Sequence, residues 1–341
     1  MLLSNFNAPE YGNWHRTVAY IRGKFVPLHE ANINIMTHAF LFGTAIYEGV
    51  RGYYNDINNQ LYLFRLKEHF ERMVRNSALL KIHDYMPVDR MCAVTKELIR
   101  KNNFRTDCYI RPILYKSAHQ YTLRMGDACD LAMFAVEQDA FFTPVQGLRV
   151  SISSLRRAAG RAVPARGKIT GDYVDSCLAL EEARENGFDD AIMLTDDGHV
   201  AEASFMNVFM ARGKKIITPP RTDCIQEGIT RDTVFTIIRE ETDYELEVRP
   251  IHVEELMTAD ELFLTGTAPE ILPVIEVDRH PIGETTFPVM SEIKQIFFET
   301  VRGMRPKYHD WLEPVFPISG DGQDVADAAR SHLYEKKMAA L

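Results

Sequence analysis

The stretch ARGKITGDYVDSCLALEEARENG, residues 165–187, decides how this chain is read. It opens as a loop rich in glycine and charge and closes as a helix. Asp172 or Asp175 can cap the helix start, Leu178 and Ala179 lie on its apolar side, and Gly187 ends it. Where loop meets helix stands Lys168, with Gly167 before it and Thr170-Gly171 after it. Most lysines are solvated surface charges. A lysine at a strand-to-helix junction can instead point into a cleft, where desolvation favours the neutral, nucleophilic amine.

Around this stretch, strand and helix patterns alternate. Downstream, residues 189–220 read as strands joined by turns at Asp196-Asp197-Gly198 and Arg212-Gly213. DTVFTIIREETD (232–243) and FPVMSEIKQIFFETVRG (287–303) read as helices, and ELFLTGTA (261–268) as a strand ending in a small-residue turn. Upstream, LRVSISS (148–154) alternates as a strand. RTVAYIRGKFVPL (16–28) reads as a hairpin about Arg22-Gly23, and QLYLFRL (60–66) as a strand. Residues 66–82 and 88–104 have helical spacing, and CYIRPILY (108–115) and DLAMFAVEQ (130–138) are strands. Pro144 and Gly147 mark a linker over 139–147. The expected organisation is a domain over 1–138, a linker over 139–147, a domain over 148–316 and a helical tail over 317–341.

Bulk properties narrow the function. A chain of 341 residues with 46% hydrophobic residues is globular and long enough for two domains. No run approaches the roughly 20 apolar residues of a membrane helix, and the N-terminus is too polar for a secretory signal. The net charge of −9, with no basic block, argues against a nucleic-acid partner. Cys92, Cys108, Cys129, Cys177 and Cys224 are scattered, with no C-x-x-C pair. That pattern supports neither zinc nor a disulfide framework and fits free thiols in a reducing cytoplasm.

Four clusters stand out: FGTAIYEGVR (42–51), ARGKITGDY (165–173), EGITRD (227–232) and LTGTAPE (264–270). Two place Gly and Thr just before a helix start. Such turns present N–H groups and hydroxyls to an anion, and the helix dipole favours negative charge there. A phosphate ligand is one reading and ordinary helix capping the other.

Seven blocks together go further. FGTAIYEGVR, LFRLKEHFERM, YIRPILY, GKITGDYV, EASFMNVF, EGITRD and FLTGTAPEILPV resemble, in order and spacing, the branched-chain amino-acid aminotransferases, which are class-IV pyridoxal-phosphate enzymes. The resemblance runs from about residue 15 to residue 316. It implies an α/β (α+β, two-domain) chain of fold type IV, with a small N-terminal α/β domain and a larger C-terminal domain holding a pseudo-barrel. It implies a homodimer and pyridoxal 5'-phosphate as cofactor, with no metal.

The resemblance also implies roles. Lys168 holds the cofactor as a Schiff base and acts as general base. Arg72 grips the phosphate, helped by Ile229, Thr230 and Thr267. Glu202 pairs with the pyridine nitrogen, Asn207 stands in the same block, and Tyr173 lies near the ring oxygen. Phe42, Tyr47, Gly49, Arg51, Tyr109, Arg111, Thr267 and Ala268 surround the substrate. Arg111 meets either the distal carboxylate of glutamate or 2-oxoglutarate, or a structural carboxylate. The activity implied is amino transfer from a branched-chain or related hydrophobic L-amino acid to 2-oxoglutarate by a ping-pong route. Alternatives on the same scaffold are a D-amino-acid or amine transaminase, an aminodeoxychorismate lyase, or a non-catalytic relative that binds the cofactor.

The departures cluster where a substrate pocket is expected. Phe42 replaces a tyrosine. Phe205 and Met206 stand where the family has a glutamate and a glycine, and Leu155 stands where a tryptophan is common. The loop KSAHQYTLRMGDACD (116–130) lacks the family's Gly-Val-Asn-Pro pattern.

Overall fold

The computed structural model describes residues 17–138, 146–157, 165–283 and 286–317. The expected linker lies almost wholly, and the tail beyond residue 317 entirely, outside the described residues. Before the linker the chain forms β1 (Val18–Ile21), β2 (Lys24–Pro27), α1 (His38–Phe42), β3 (Ala45–Tyr47), β4 (Val50–Asn55), β5 (Gln60–Phe64), α2 (Leu66–Ser77), α3 (Val88–Asn102), β6 (Cys108–Lys116) and β7 (Cys129–Glu137). The β1–β2 hairpin turns through Arg22 and Gly23, both at positive φ (51° and 75°), as a tight two-residue connection requires.

After it come β8 (Leu148–Arg156), α4 (Tyr173–Glu185), β9 (Asp190–Leu194), β10 (Val200–Ala203), β11 (Asn207–Arg212), β12 (Lys215–Thr218), α5 (Ile229–Glu241), β13 (Glu245–Val248), α6 (Val253–Leu256), β14 (Glu261–Gly266), β15 (Glu270–Val277), β16 (His280–Pro281), α7 (Pro288–Val301) and β17 (Leu312–Pro314).

Two sheets result. The first has eight strands in the order β17-β5-β4-β6-β7-β1-β2, with β3 also on β6. Its last strand comes from the far end of the chain: β17 pairs with β5, tying residues 312–314 to the first sheet. The second has nine strands in the order β10-β9-β8-β15-β14-β11-β12-β13, with β16 on β15. Its β8 runs parallel to both β9 and β15, so the sheet is mixed.

One irregularity in the first sheet positions the site. β6 takes β3 and then β4 along the same edge, and residues 48–49 fall between them. The Glu48 amide donates to the Pro112 carbonyl across that break. Pro112, which has no N–H, thereby sits in a central strand where the ladder is already interrupted. The break turns Glu48 toward α2 and leaves Gly49 under the Tyr109 ring, where a Cβ would come within 2.5 Å of the hydroxyl oxygen.

Each sheet has its own core, and α7 joins them. Phe297 of α7 meets Tyr53 and Phe64 of the first sheet edge-on, with centroids 6.4 and 5.8 Å away. Its cluster also includes Phe209 and Phe263 of the second sheet, which stack at 5.2 Å. Among the described residues no helix is long and apolar enough to cross a membrane.

Candidate active site

Lys168 lies between two short 3-10 turns, Ala165–Gly167 and Thr170–Asp172, directly before α4. Its φ is 49°, a left-handed conformation that costs energy for a residue with a Cβ. The first sheet braces this backbone. The Tyr47 amide donates to the Lys168 carbonyl (3.1 Å), and the Gly171 amide and Thr170 hydroxyl both donate to the Gly43 carbonyl (3.1 and 2.8 Å). Gly43 and Gly171 pack backbone to backbone: a Cβ on Gly43 would fall 2.6 Å from Gly171 Cα. The two glycine-containing clusters are therefore one docking surface.

The lysine side chain enters a cavity of about 360 Å³. Its Nζ is 3.0 Å from the Tyr173 hydroxyl and 4.7 Å from the centroid of the Tyr47 ring. Tyr47, Gly49, Tyr109, Arg111, Thr267 and Ala268 line the same cavity. Arg111 donates through Nε to the Tyr109 hydroxyl (2.9 Å), and its guanidinium lies 4.4 Å from the Tyr47 ring centroid. Among the described residues it forms no ion pair, so its charge faces the cavity without a structural carboxylate. Burial pushes the Tyr47 phenol well above its ordinary value, which keeps that hydroxyl protonated.

Behind the cavity lie two buried charged assemblies. In the first, Arg72 of α2 is clamped by Glu48: Nε donates to Oε1 (2.8 Å) and Nη2 to Oε2 (2.6 Å). Arg72 Nη1 donates to the Glu227 carbonyl (2.5 Å), and His69 Nδ1 lies 2.9 Å from Glu48 Oε2. Burial opposes ionisation of Glu48, yet the Arg72 guanidinium and its hydrogen bonds bring that carboxyl down to about 2. Three of the five guanidinium N–H groups are used, which leaves two for an anion. The Glu227 carbonyl leads into the start of α5, where Gly228 precedes Ile229 and Thr230.

In the second assembly, Glu202 of β10 accepts from the Gln226 amide (2.9 Å) and Asn207 Nδ2 (3.0 Å) on Oε2. Its Oε1 pairs with Arg157 Nη2 at 2.8 Å. Burial raises the Glu202 carboxyl above its ordinary value, and the Arg157 guanidinium is the strongest influence opposing that rise. Gly228 is required beside it, since a Cβ there would collide with Asn207 Oδ1.

These features suit pyridoxal phosphate by their own chemistry. A lysine amine reaches the cavity, two guanidinium N–H groups stand near a glycine-started helix, and a buried carboxylate is fixed by three donors. The buried Thr265 hydroxyl, two residues before Thr267, makes no hydrogen bond among the described residues.

Two residues expected at the substrate lie elsewhere. Arg51 is buried beneath the site, 3.5 Å from Glu270 and 3.9 Å from Asp107, with its guanidinium 5.4 Å from the Tyr53 ring centroid. Its carboxylate partners hold it there, and it does not line the cavity that Gly49 lines. Phe42 ends α1, partly exposed, with its ring 4.7 Å from that of His38 and outside the cavity of this chain. Sequence reasoning gave no role to Glu48, His69 or Arg157, or to the cavity residues Leu180 and Arg184, and it named Phe205 only among the departures clustered where a substrate pocket is expected. An acid inside the apolar block AIYEGV was the one legible signal, because a charge in such a run needs a buried partner.

Comparison with known proteins agrees with this geometry. Residues 45–277 match the family model described as amino-transferase class IV. A probable branched-chain-amino-acid aminotransferase of Aquifex aeolicus is 41% identical over 300 residues, covering 87% of this chain and 96% of that protein. The branched-chain-amino-acid aminotransferase of Escherichia coli K12 is 31% identical over 302 residues, covering 87% and 96%. Among solved structures, the branched-chain aminotransferase of Thermoproteus uzoniensis with norvaline superposes with a TM-score of 0.84 at 34% identity, covering 88% of this chain and 99% of that one. The branched-chain amino acid aminotransferase of Thermobaculum terrenum in its PLP-form gives 0.82, also at 34% identity, with coverage of 88% and 99%.

Proposed function

From the premise that the chain belongs to the class-IV aminotransferases, a transaminase of fold type IV using pyridoxal 5'-phosphate, we propose that it takes the amino group of a branched-chain or related hydrophobic L-amino acid and delivers it to 2-oxoglutarate. The relatives named for branched-chain amino acids support the donor class. The cation of Arg111, facing the cavity with no structural carboxylate among the described residues, supports an acceptor with a distal acid.

When bound, the cofactor supplies an aldehyde that takes up the amino group and a ring that accepts electrons from the α-carbon. The chain's own residues do the rest. Lys168 would hold the cofactor through Nζ, and its free amine would serve as the base for the α-proton. The Tyr173 hydroxyl holds Nζ in place. The remaining N–H groups of Arg72, with Ile229, Thr230 and Thr267, bind the phosphate. Glu202, steadied by Asn207, keeps a proton on the ring nitrogen. Thr267 and Ala268 take the α-carboxylate, and Tyr47, Gly49 and Tyr109 wall the side chain off from water. The division at 139–147 separates the two sheets as domains except for β17, which returns to the first sheet; two copies of the chain pair, and the free thiols fit a cytoplasmic enzyme.

The Lys168–Tyr173 contact inside a cavity shared with Arg111 and Thr267 is the observation on which this rests. Lys168→Ala is expected to abolish the visible absorbance of covalently held cofactor together with transamination of L-leucine. Sustained multiple turnover by that variant would overturn the assignment.

A further inference from the structure

Phe205 belongs to none of the roles above, yet its ring lines the cavity that holds Lys168. It stands in the turn between β10 and β11, three residues after Glu202 and two before Asn207. That turn is held on every side. The Ala203 amide donates to the Met206 carbonyl (2.8 Å), and the Ser204 hydroxyl donates to the buried Asp190 carboxylate (2.5 Å). Met206 is buried, and Asn207 Nδ2 is shared between Glu202 and the Gln226 carbonyl. A ring on such a turn is a fixed wall, because moving it breaks buried hydrogen bonds.

Two other elements line the same cavity. Leu180 and Cys177 come from α4, and Ala268 and Pro269 from the turn between β14 and β15. The cavity's roughly 360 Å³ lies at the low end for ligand sites, so one phenyl ring more or less changes what fits.

Resting on the reading that this cavity takes the donor amino acid, we propose that Phe205 is a specificity-determining residue: with Leu180 and Pro269 it forms an apolar end wall that admits compact aliphatic donors and excludes aromatic ones. The wall acts on side-chain size, not on the proton transfer at the α-carbon. It therefore sets the ratio of donor efficiencies and leaves the cofactor's attachment unchanged. In an apolar pocket a single methylene already changes kcat/KM by about tenfold or more.

The test uses the holoenzyme and compares kcat/KM for L-valine, L-leucine and L-phenylalanine. The variants are Phe205→Ala, Phe205→Leu and Leu180→Ala, each checked for the absorbance of bound cofactor. Phe205→Ala is expected to raise the phenylalanine-to-valine ratio about tenfold or more, Phe205→Leu less, and Leu180→Ala in the same direction from a separate helix. If Phe205→Ala fails to fold, the other two variants decide. A ratio that stays within about twofold in the variants that fold overturns the inference, as does a wild type that already prefers phenylalanine. A wild type that converts none of the three donors would instead overturn the donor class proposed above.

Discussion

At the scale of single residues, the site divides into groups that a sequence displays and groups that only folding brings together. Lys168 was legible because its flanking glycines and the following helix are local. Arg72 was legible through the block around it. Glu48 was not, because its partners His69 and Arg72 lie 21 and 24 residues away and meet it only through the break between β3 and β4. Its charge makes a definite demand. The Glu48 carboxyl falls from an ordinary value of 4.5 to about 2 in the folded protein. A depressed acid stabilises the fold at pH values above the unfolded value, and that contribution is lost as pH falls through the folded one. The gap corresponds to about 3 kcal/mol, lost between pH 4.5 and about pH 2. Glu48→Gln would leave the Arg72 cation buried without a counter-charge, at a cost of about 3–5 kcal/mol. Urea unfolding across that pH range is expected to show a steep loss of stability in the wild type and a flatter profile in the variant. Equal slopes in the two proteins would exclude Glu48 as the group responsible. The variant should also bind added pyridoxal phosphate more weakly, since Arg72 loses its orientation.

At the scale of elements, periodicity located α2, α3, α5 and α7 through their apolar stripes, whereas α4 was legible from its ends: it buries only Ser176, Ala179 and Ala183, and Leu178, expected on its apolar side, is 54% exposed. The β1–β2 hairpin was equally clear from Arg22-Gly23. The pairing of β17 with β5 was not, since a three-residue strand has no periodic signal and its partner lies about 250 residues earlier. Nor does sequence show which loops meet. Buried Lys116, for example, closes the loop after β6 by donating to the carbonyls of Gly126 (3.0 Å) and Lys81 (2.7 Å). The element that unites the sheets is α7, and Phe297 is its most enclosed aromatic contact, touching Tyr53, Phe64 and Phe298. Phe297→Ala leaves a cavity between the sheets and should cost about 3–5 kcal/mol in chemical denaturation. Because the cavity of Lys168 draws residues from both sheets, catalytic activity should fall before the protein unfolds globally. Loss of activity only at the global transition would mean that α7 does not hold the two sheets in register.

At the scale of the whole molecule, one face remains to be accounted for. Ile35 is 75% exposed and Phe40 68%, with Met36, Leu41 and Phe42 beside them. The loop after β6 adds Tyr121 at 79% and Leu123 at 82%. These are one surface: the His38 amide donates to the Ala118 carbonyl (2.9 Å), and the Gln120 amide to the Met36 carbonyl (3.0 Å). Large apolar groups gathered this way mark an association site. The proposed occupant is a second copy of the chain, because α1 leads straight into the Gly43 turn that braces Lys168. Pairing there would seal the site's edge from solvent, and it gives Phe42 a pocket role through the partner that it lacks in its own chain. Light scattering on the eluting protein is expected to give about twice 39.1 kDa. Phe40→Asp combined with Leu123→Asp places two charges on each copy's face and should shift the mass to that of one chain, with transamination lost in parallel. A wild type that is fully active at the mass of a single chain would leave this apolar face without its partner and remove the second copy from the site.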